Sequence, residues 1–467
     1  KTGSWTPIRI HISTLDLDDP TRYCTAAGQI IKGPEGNPLT CTEEDVLTPE
    51  KKSTLLNKLL PQAVALHSER LSVKPLASPI VVPSMGGDVC TWFTVPPAHH
   101  TSGVRNADFA LYVRASPTEG NVMAWALMCA ADTSWHPYVG VTNISPRFIT
   151  ETNSGVRVVA HELLHALGFH ALLFSLRQMV STDTVRGKGE VPVVSSPKVV
   201  QRAKEHFCCG TLPGMELEDE GGEGTALSHW ERRNAKDELM SGISGIGYYT
   251  AITIAAMEDL GFYKGNYDKA ESMSWGQNAG CDLLDKPCVV NGVSQFPSMF
   301  CTEQGKESCT TDRLAIGVCD TGPLMDSCPS TLPYSNAMCS DTVTNKMPGS
   351  VFGSSSRCFD GDQLSFADHA GISPAICADV KCGDQDYEVR VKGAEGYVRC
   401  TPGGKLALSS LSKDFKSGEI MCPPFQEVCS SPFQPSCKTF GDRAGAFAAT
   451  GVALPPLLLA AALLLVL

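Results

Sequence analysis

The sequence predicts an α+β protein: a sheet with one long helix, a central region, and a disulfide-rich C-terminal domain. Three observations carry that reading. Short alternating runs such as TPIRIHIS and ADFALYVRA have the period of strands. HELLHALGF, His161 to Phe169, follows apolar residues at helical spacing. Fourteen of the twenty cysteines fall between Cys281 and Cys437.

The elements follow in chain order. Residues 1 to about 170 mix the two strand runs with LNKLLPQAVALHSERL, an amphipathic helix in which Pro61 starts a second part. This region ends in a helix expected over Val156 to Leu167, buried on one side and facing a cleft on the other. Thr152, Asn153 and Ser154 are N-cap residues. Val156, Val159, Leu163 and Leu167 make the buried stripe, and Gly168 is the stop. Residues 171 to about 287 form a central region. In it ELEDEGGEG reads as a solvated loop, and GYYTAITIAAMEDLGF as a helix closed by Gly261. Residues 288 to about 441 are rich in Cys, Gly, Pro and Ser and read as loop-rich and disulfide-held. Residues 442–467 are a separate tail.

The chemistry begins at HELLHALGF. Helix positions i and i+4 share a face, so His161 and His165 can reach one metal ion with Glu162 at its edge. That is the two-histidine half of a zinc hydrolase site, with a carboxylate to act as base. The plain alternative is two core histidines that coincide with the pattern. A catalytic zinc takes three protein ligands and leaves one position for water. The metzincin motif HExxHxxGxxH would place its third histidine at Ala171. His170 is one residue out of register and is read as structural or surface. Glu190, Glu205, Glu216, Glu218 and Glu220 are available as a thermolysin-like third ligand. His206 lies beside Cys208 and Cys209 in what reads as a stapled segment. His229 is better placed, because it opens HWERRNAKDELM, and Met240 in DELMSG suits the methionine turn of a metzincin. Arg232, Arg233, Asp237 and Glu238 read as a solvated or ion-paired face rather than a substrate site. Trp230 reads as packing, and Tyr248 and Tyr249 as core. Gly242 stands where some metzincins carry a tyrosine.

HELLHALGF, a long insertion, SHWERRNAKDELM and GYYTAITIAAMEDLGFY together resemble the leishmanolysin family, surface metalloproteases of trypanosomatid parasites. The resemblance runs from about Trp5 to the C-terminus and takes in CTEEDVLTPEK, PQAVALHSERL and MSWGQNAGC. It implies a metzincin-like catalytic module with one catalytic zinc ion (Zn2+) on His161, His165 and His229. It implies Glu162 as the base and Met240 in the Met-turn. The activity implied is endopeptidase cleavage of proteins by a zinc-bound water that Glu162 activates. Polypeptides, host or extracellular, are the implied substrates. Cys208 and Cys437 fall outside the family's cysteine pattern.

Composition sets outer bounds. At 467 residues the chain has room for two or three domains. A net charge of −12 without a basic stripe argues against nucleic acid as a partner. Twenty cysteines without paired CxxC units point to disulfides in an oxidising compartment. Short loops favour Cys24–Cys41 and Cys400–Cys422, and the resemblance supports both. Asn143-Ile-Ser145 is an N-glycosylation sequon, with Pro146 behind it. Lys1, without initiator Met or apolar leader, reads as a mature N-terminus from which a signal peptide and a pro-segment have gone. After Arg443 the last 24 residues carry no charge. Pro455, Pro456 and the missing basic flank favour a GPI-attachment signal over a spanning helix. Asp442 is the expected attachment residue and Gly441 the runner-up, which puts the protein on the outer cell surface, held to the membrane by lipid. A surface adhesion or decoy protein that keeps the zinc fold without activity is the alternative function. Loss of Glu162 or of a ligand would mark it, and neither is lost.

Overall fold

The computed structural model describes residues 3–85, 89–222, 224–342, 347–429 and 465–466. Cys437, Gly441 and Asp442 lie outside the described residues, as does the tail apart from Leu465 and Val466. The expected mixture of helix and sheet is what forms. It divides into two units, one over residues 1–271 and one over 272–434.

The first unit is built on a mixed sheet. Of its strands β1 (Ile10–Ser13) comes first, and helix α1 (Leu60–Arg70) lies between it and the next. Pro61 stands in the first turn of α1, where its missing N–H is not needed. Leu55–Leu59 just before it is a π-turn, so the expected restart at Pro61 is real. Strands β2 (Phe109–Arg114), β3 (Ala124–Ala131) and β4 (Pro137–Ile144) complete the sheet. Its order is β1-β2-β4-β3, with the pair Leu465–Val466 beyond β3. β1 and β4 run parallel to β2, and β3 runs antiparallel to β4. ADFALYVRA forms a strand as expected, and every residue of β2 is buried. One face is covered by Ile80, Val82, Phe93 and Val104, which pack with Tyr112, Val139 and Val141. The other face of the sheet carries helix α2 (Asn153–Leu167), packed on β3, β4 and α1.

Beyond α2 come helix α3 (Ala171–Leu176) and helix α4 (Pro197–Phe207). A three-stranded antiparallel sheet of Val180–Thr184, Glu190–Val194 and Met215–Glu216 belongs to the same unit. Helix α5 (Ala251–Asp259) packs on α4. Thr250 caps α5 by accepting from Ile252 N, and Gly261 follows at φ +83.

Asn143 requires a correction. It lies in β4 and is fully buried. Its Oδ1 accepts from Ser116 N at 2.9 Å, and its Nδ2 donates to Ser116 O at 3.1 Å. Both amide atoms are used inside the sheet, so a glycan on Nδ2 has no room in the folded protein.

The second unit is antiparallel sheet. Six strands run in the spatial order Val398–Arg399, Tyr387–Arg390, Ile372–Cys382, Ser356–Phe366, Phe415–Met421 and Lys405–Ala407. Phe359, Leu364, Ile376, Tyr387, Val389 and Ile420 form its core. Disulfides join Cys288–Cys328, Cys301–Cys319, Cys309–Cys358, Cys339–Cys377, Cys382–Cys429 and Cys400–Cys422. The first unit has Cys24–Cys41 and Cys90–Cys129. Both bridges expected from short loops are therefore present. Cys208 is also disulfide-bonded.

Candidate active site

Helix α2 begins where its sequence allows. The Thr152 hydroxyl accepts from Gly155 N at 3.0 Å, and the helix starts at Asn153, three residues before the expected point. Val156, Val159, Leu163 and Leu167 are buried as predicted. Such side chains contribute roughly 1.5–3 kcal/mol each when fully buried. Gly140 of β4 lets the helix approach, since a Cβ there would lie 3.0 Å from the Ala166 methyl. The other face is not open as expected. His161, Glu162 and His165 are at most 2% exposed. The chain from Thr225 to Ser241 returns over this face, as the histidine contacts below record.

Three imidazoles converge there. His165 Nε2 lies 2.8 Å from His161 Nε2, and His229 Nε2 lies 3.1 and 3.2 Å from the two. Their Nδ1 atoms meet the carbonyls of Leu239, Phe169 and Thr225 in the order His161, His165, His229. A carbonyl can only accept, so each Nδ1 carries the proton. Each neutral ring therefore turns a lone pair at Nε2 toward the other two. Three converging lone pairs need a cation between them. A tetrahedral zinc with Zn–N near 2.0–2.1 Å asks for N···N of roughly 3.3 Å, close to what these rings offer. The three histidines could thus hold a metal ion.

The electrostatics agree. Burial, with the neighbouring rings, holds His161 and His165 well below the ordinary histidine range. Burial holds His229 down to about 4. All three therefore stay neutral and able to ligate. Burial pushes the Glu162 carboxyl well above its usual range, and neither of its oxygens has a hydrogen-bond partner. A buried carboxylate without partners is costly, and such groups collect at reactive sites.

A family model described as Leishmanolysin matches residues 1–323 and 320–435. The chain belongs to the leishmanolysin family. A leishmanolysin of Leishmania major is 41% identical over 498 residues, which covers 98% of this chain and 83% of that protein. A leishmanolysin homolog of Crithidia fasciculata is 38% identical over 470 residues, 92% of this chain and 72% of that protein. A leishmanolysin-like peptidase of Drosophila melanogaster is 27% identical over 447 residues, 71% of this chain and 65% of that protein. As a member of the leishmanolysin family the chain is a zinc metalloendopeptidase.

The other candidates are elsewhere engaged. His170 Nδ1 accepts from Leu172 N at 3.0 Å and caps α3, a structural role. Glu216 pairs with Arg186 at 2.7 and 2.9 Å, and Glu218 accepts from Glu220 N and Arg232 N. Both are buried, so the acidic run is not simply a solvated loop. Arg232, Arg233, Asp237 and Glu238 are buried as well, so of the solvated or ion-paired face expected of them the solvated half does not hold. Lys236 and Asp237 pair at 3.0 Å, and Glu238 is held by hydroxyl and backbone donors, so the string folds inward. Trp230 and Tyr249 are core residues, while Tyr248 is half-buried. Sequence reasoning missed the carbonyls of Leu239, Phe169 and Thr225. A backbone oxygen leaves no mark in a string of side chains. Only the glycine before Phe169 hinted that the chain turns back there.

Proposed function

We propose that this chain is a cell-surface endopeptidase in which His161, His165 and His229 hold one zinc ion and Glu162 is the general base. The observation that carries the reading is the convergence of three Nε2 lone pairs, with the partnerless buried carboxyl of Glu162 next in the chain to His161. When bound, the zinc supplies Lewis acidity to a water and to the scissile carbonyl oxygen. The Glu162 carboxylate accepts a proton from the attacking water and delivers it to the leaving amine nitrogen. Its apolar surroundings raise its proton affinity, which suits both halves of that transfer. The three Nδ1–H donors fix the rings so that their Nε2 atoms stay converged. Met240, fully buried, is read as the methionine of the Met-turn. In this layout residues 1–170 supply the helix, 171–287 the third ligand and the turn, and 288–441 a disulfide-held domain.

Extracellular polypeptides are the proposed substrates. The uncharged run after Arg443 supports lipid anchoring through residues 442–467, with Asp442 or Gly441 as attachment residue. Casein cleavage with and without a zinc chelator tests the activity. Glu162→Gln should lose cleavage by at least ~100-fold while it keeps its zinc. Full activity in that variant would remove Glu162 from its role. Phosphatidylinositol-specific phospholipase should release the cell-surface protein. An intact Leu467 on mature membrane-bound protein would refute the anchor.

A further inference from the structure

Glu238 sits in a closed circuit of hydrogen bonds around the metal-binding histidines. It is 3% exposed. Its Oε2 accepts from Met240 N at 2.5 Å. Its Oε1 accepts from Thr250 Oγ1 at 2.8 Å, Thr250 N at 3.3 Å and Thr253 Oγ1 at 2.6 Å. The Thr253 hydroxyl in turn accepts from Trp230 Nε1 at 2.8 Å. The circuit closes where Trp230 N donates to Met240 O at 2.9 Å.

Two of the three histidines attach to this circuit. The Leu239 carbonyl, between Glu238 and Met240, takes the Nδ1 proton of His161. His229 is joined directly to Trp230. A shift of the 238–240 turn would therefore move the oxygen that orients His161. It would also move the peptide next to His229. The ends of α5 and of the turn are pinned by the same carboxylate, since Thr250 is the N-cap of α5.

We propose that Glu238 is a positioning residue for the metal centre, holding the 238–240 turn and Trp230 so that His161 and His229 keep a common focus. This rests on the reading of His161, His165 and His229 as ligands. A carboxylate is required because four donors converge on it, and two of them, Met240 N and Thr250 N, are backbone groups. A glutamine offers one oxygen, and its amino group would face one of these N–H groups, which cannot accept. One buried backbone donor would be left without an acceptor.

The test uses the purified full chain loaded with zinc, with the metal drawn off by excess chelator below the melting temperature of each variant. Glu238→Gln should release zinc about 10- to 100-fold faster than wild type, the usual loss when a ligand's supporting group is removed. Its kcat should fall with little change in KM. Thr253→Val keeps the shape without the hydroxyl and should move the same way, and Thr253→Ser should restore wild-type release. Cobalt-loaded Glu238→Gln and Thr253→Val should show altered visible absorption, which a loss of stability alone would not produce. If Glu238→Gln does not fold, the Thr253 pair decides. Wild-type release and an unchanged cobalt spectrum, even with a lower melting temperature, would overturn the proposal. If His229→Ala holds zinc as firmly as wild type, the metal-centre reading fails, and the role of Glu238 falls with it. Zinc loss in His229→Ala with wild-type release in both other variants overturns only the role of Glu238.

Discussion

His229 and His170 are the residues that sequence alone ranks least easily. One lies 64 positions beyond His165 and the other only five. Yet His229 Nε2 is 3.2 Å from His165 Nε2, while the His170 ring caps a helix. His229→Ala should purify without zinc. His170→Ala should keep its zinc and lose about 1 kcal/mol of stability, the usual cost of an N-cap. Metal content of the two proteins, with a thermal melt, checks both. Another buried histidine, His67, adds to the acid sensitivity. His67 Nε2 donates to Ala160 O at 2.9 Å, and its Nδ1 accepts from Tyr249 Oη at 3.2 Å. Burial lowers its pKa to about 3, from 6.5 when unfolded. Between those values the unfolded chain binds a proton that the native one refuses. Its share of stability is therefore whole above pH 6.5 and lost as pH falls, on the order of 4 kcal/mol by pH 3. The melting temperature of His67→Gln should fall less steeply from pH 6.5 to 4 than that of wild type. Parallel curves would clear His67 of the effect.

Helix α2 is set by its two ends as much as by its apolar stripe. Thr152→Ala removes a cap and should cost about 1 kcal/mol with zinc retained. Gly168 is different in kind. Its φ of +125 turns the chain so that Phe169 O meets His165 Nδ1. A Cβ there would lie 3.0 Å from Leu173 Cδ1 and 3.2 Å from Leu260 Cδ1. Gly168→Ala should therefore cost roughly 1–3 kcal/mol and weaken zinc binding as well. Comparing zinc retention of the two variants at matched temperature separates a capping effect from a ligand effect. Equal retention would show that the turn at Gly168 does not serve His165.

Across the whole chain, the two units have different supports. Residues 1–271 bury a sheet under α2, while residues 272–434 contain six of the disulfides described above. Each bridge contributes typically 2–4 kcal/mol by restricting the unfolded chain. Mild reduction should open the amides of 272–434 to hydrogen exchange before those of α2 and β4. Earlier exchange in α2 would mean that bridges support the first unit more than its core does.

By itself the sequence determined the local features: the α+β class, the extent of α2 to within three residues, the HExxH face, the restart at Pro61 and two short-loop disulfides. Each depends on residues near one another in the chain, where period, cap and loop length act directly. The candidacy of His229 was also legible, because DELMSG and the resemblance mark it. Tertiary structure decided the rest. It buried every residue of β2, with a loop layer over one face of the sheet. It buried Asn143, whose sequon says nothing of the strand around it. It folded the charges of 231–238 inward, where the Lys236–Asp237 pair and the donors on Glu238 offset part of the desolvation cost. And it joined Glu238 to both His161 and His229 through backbone groups, a connection that exists only once α5, the turn and Trp230 share one space.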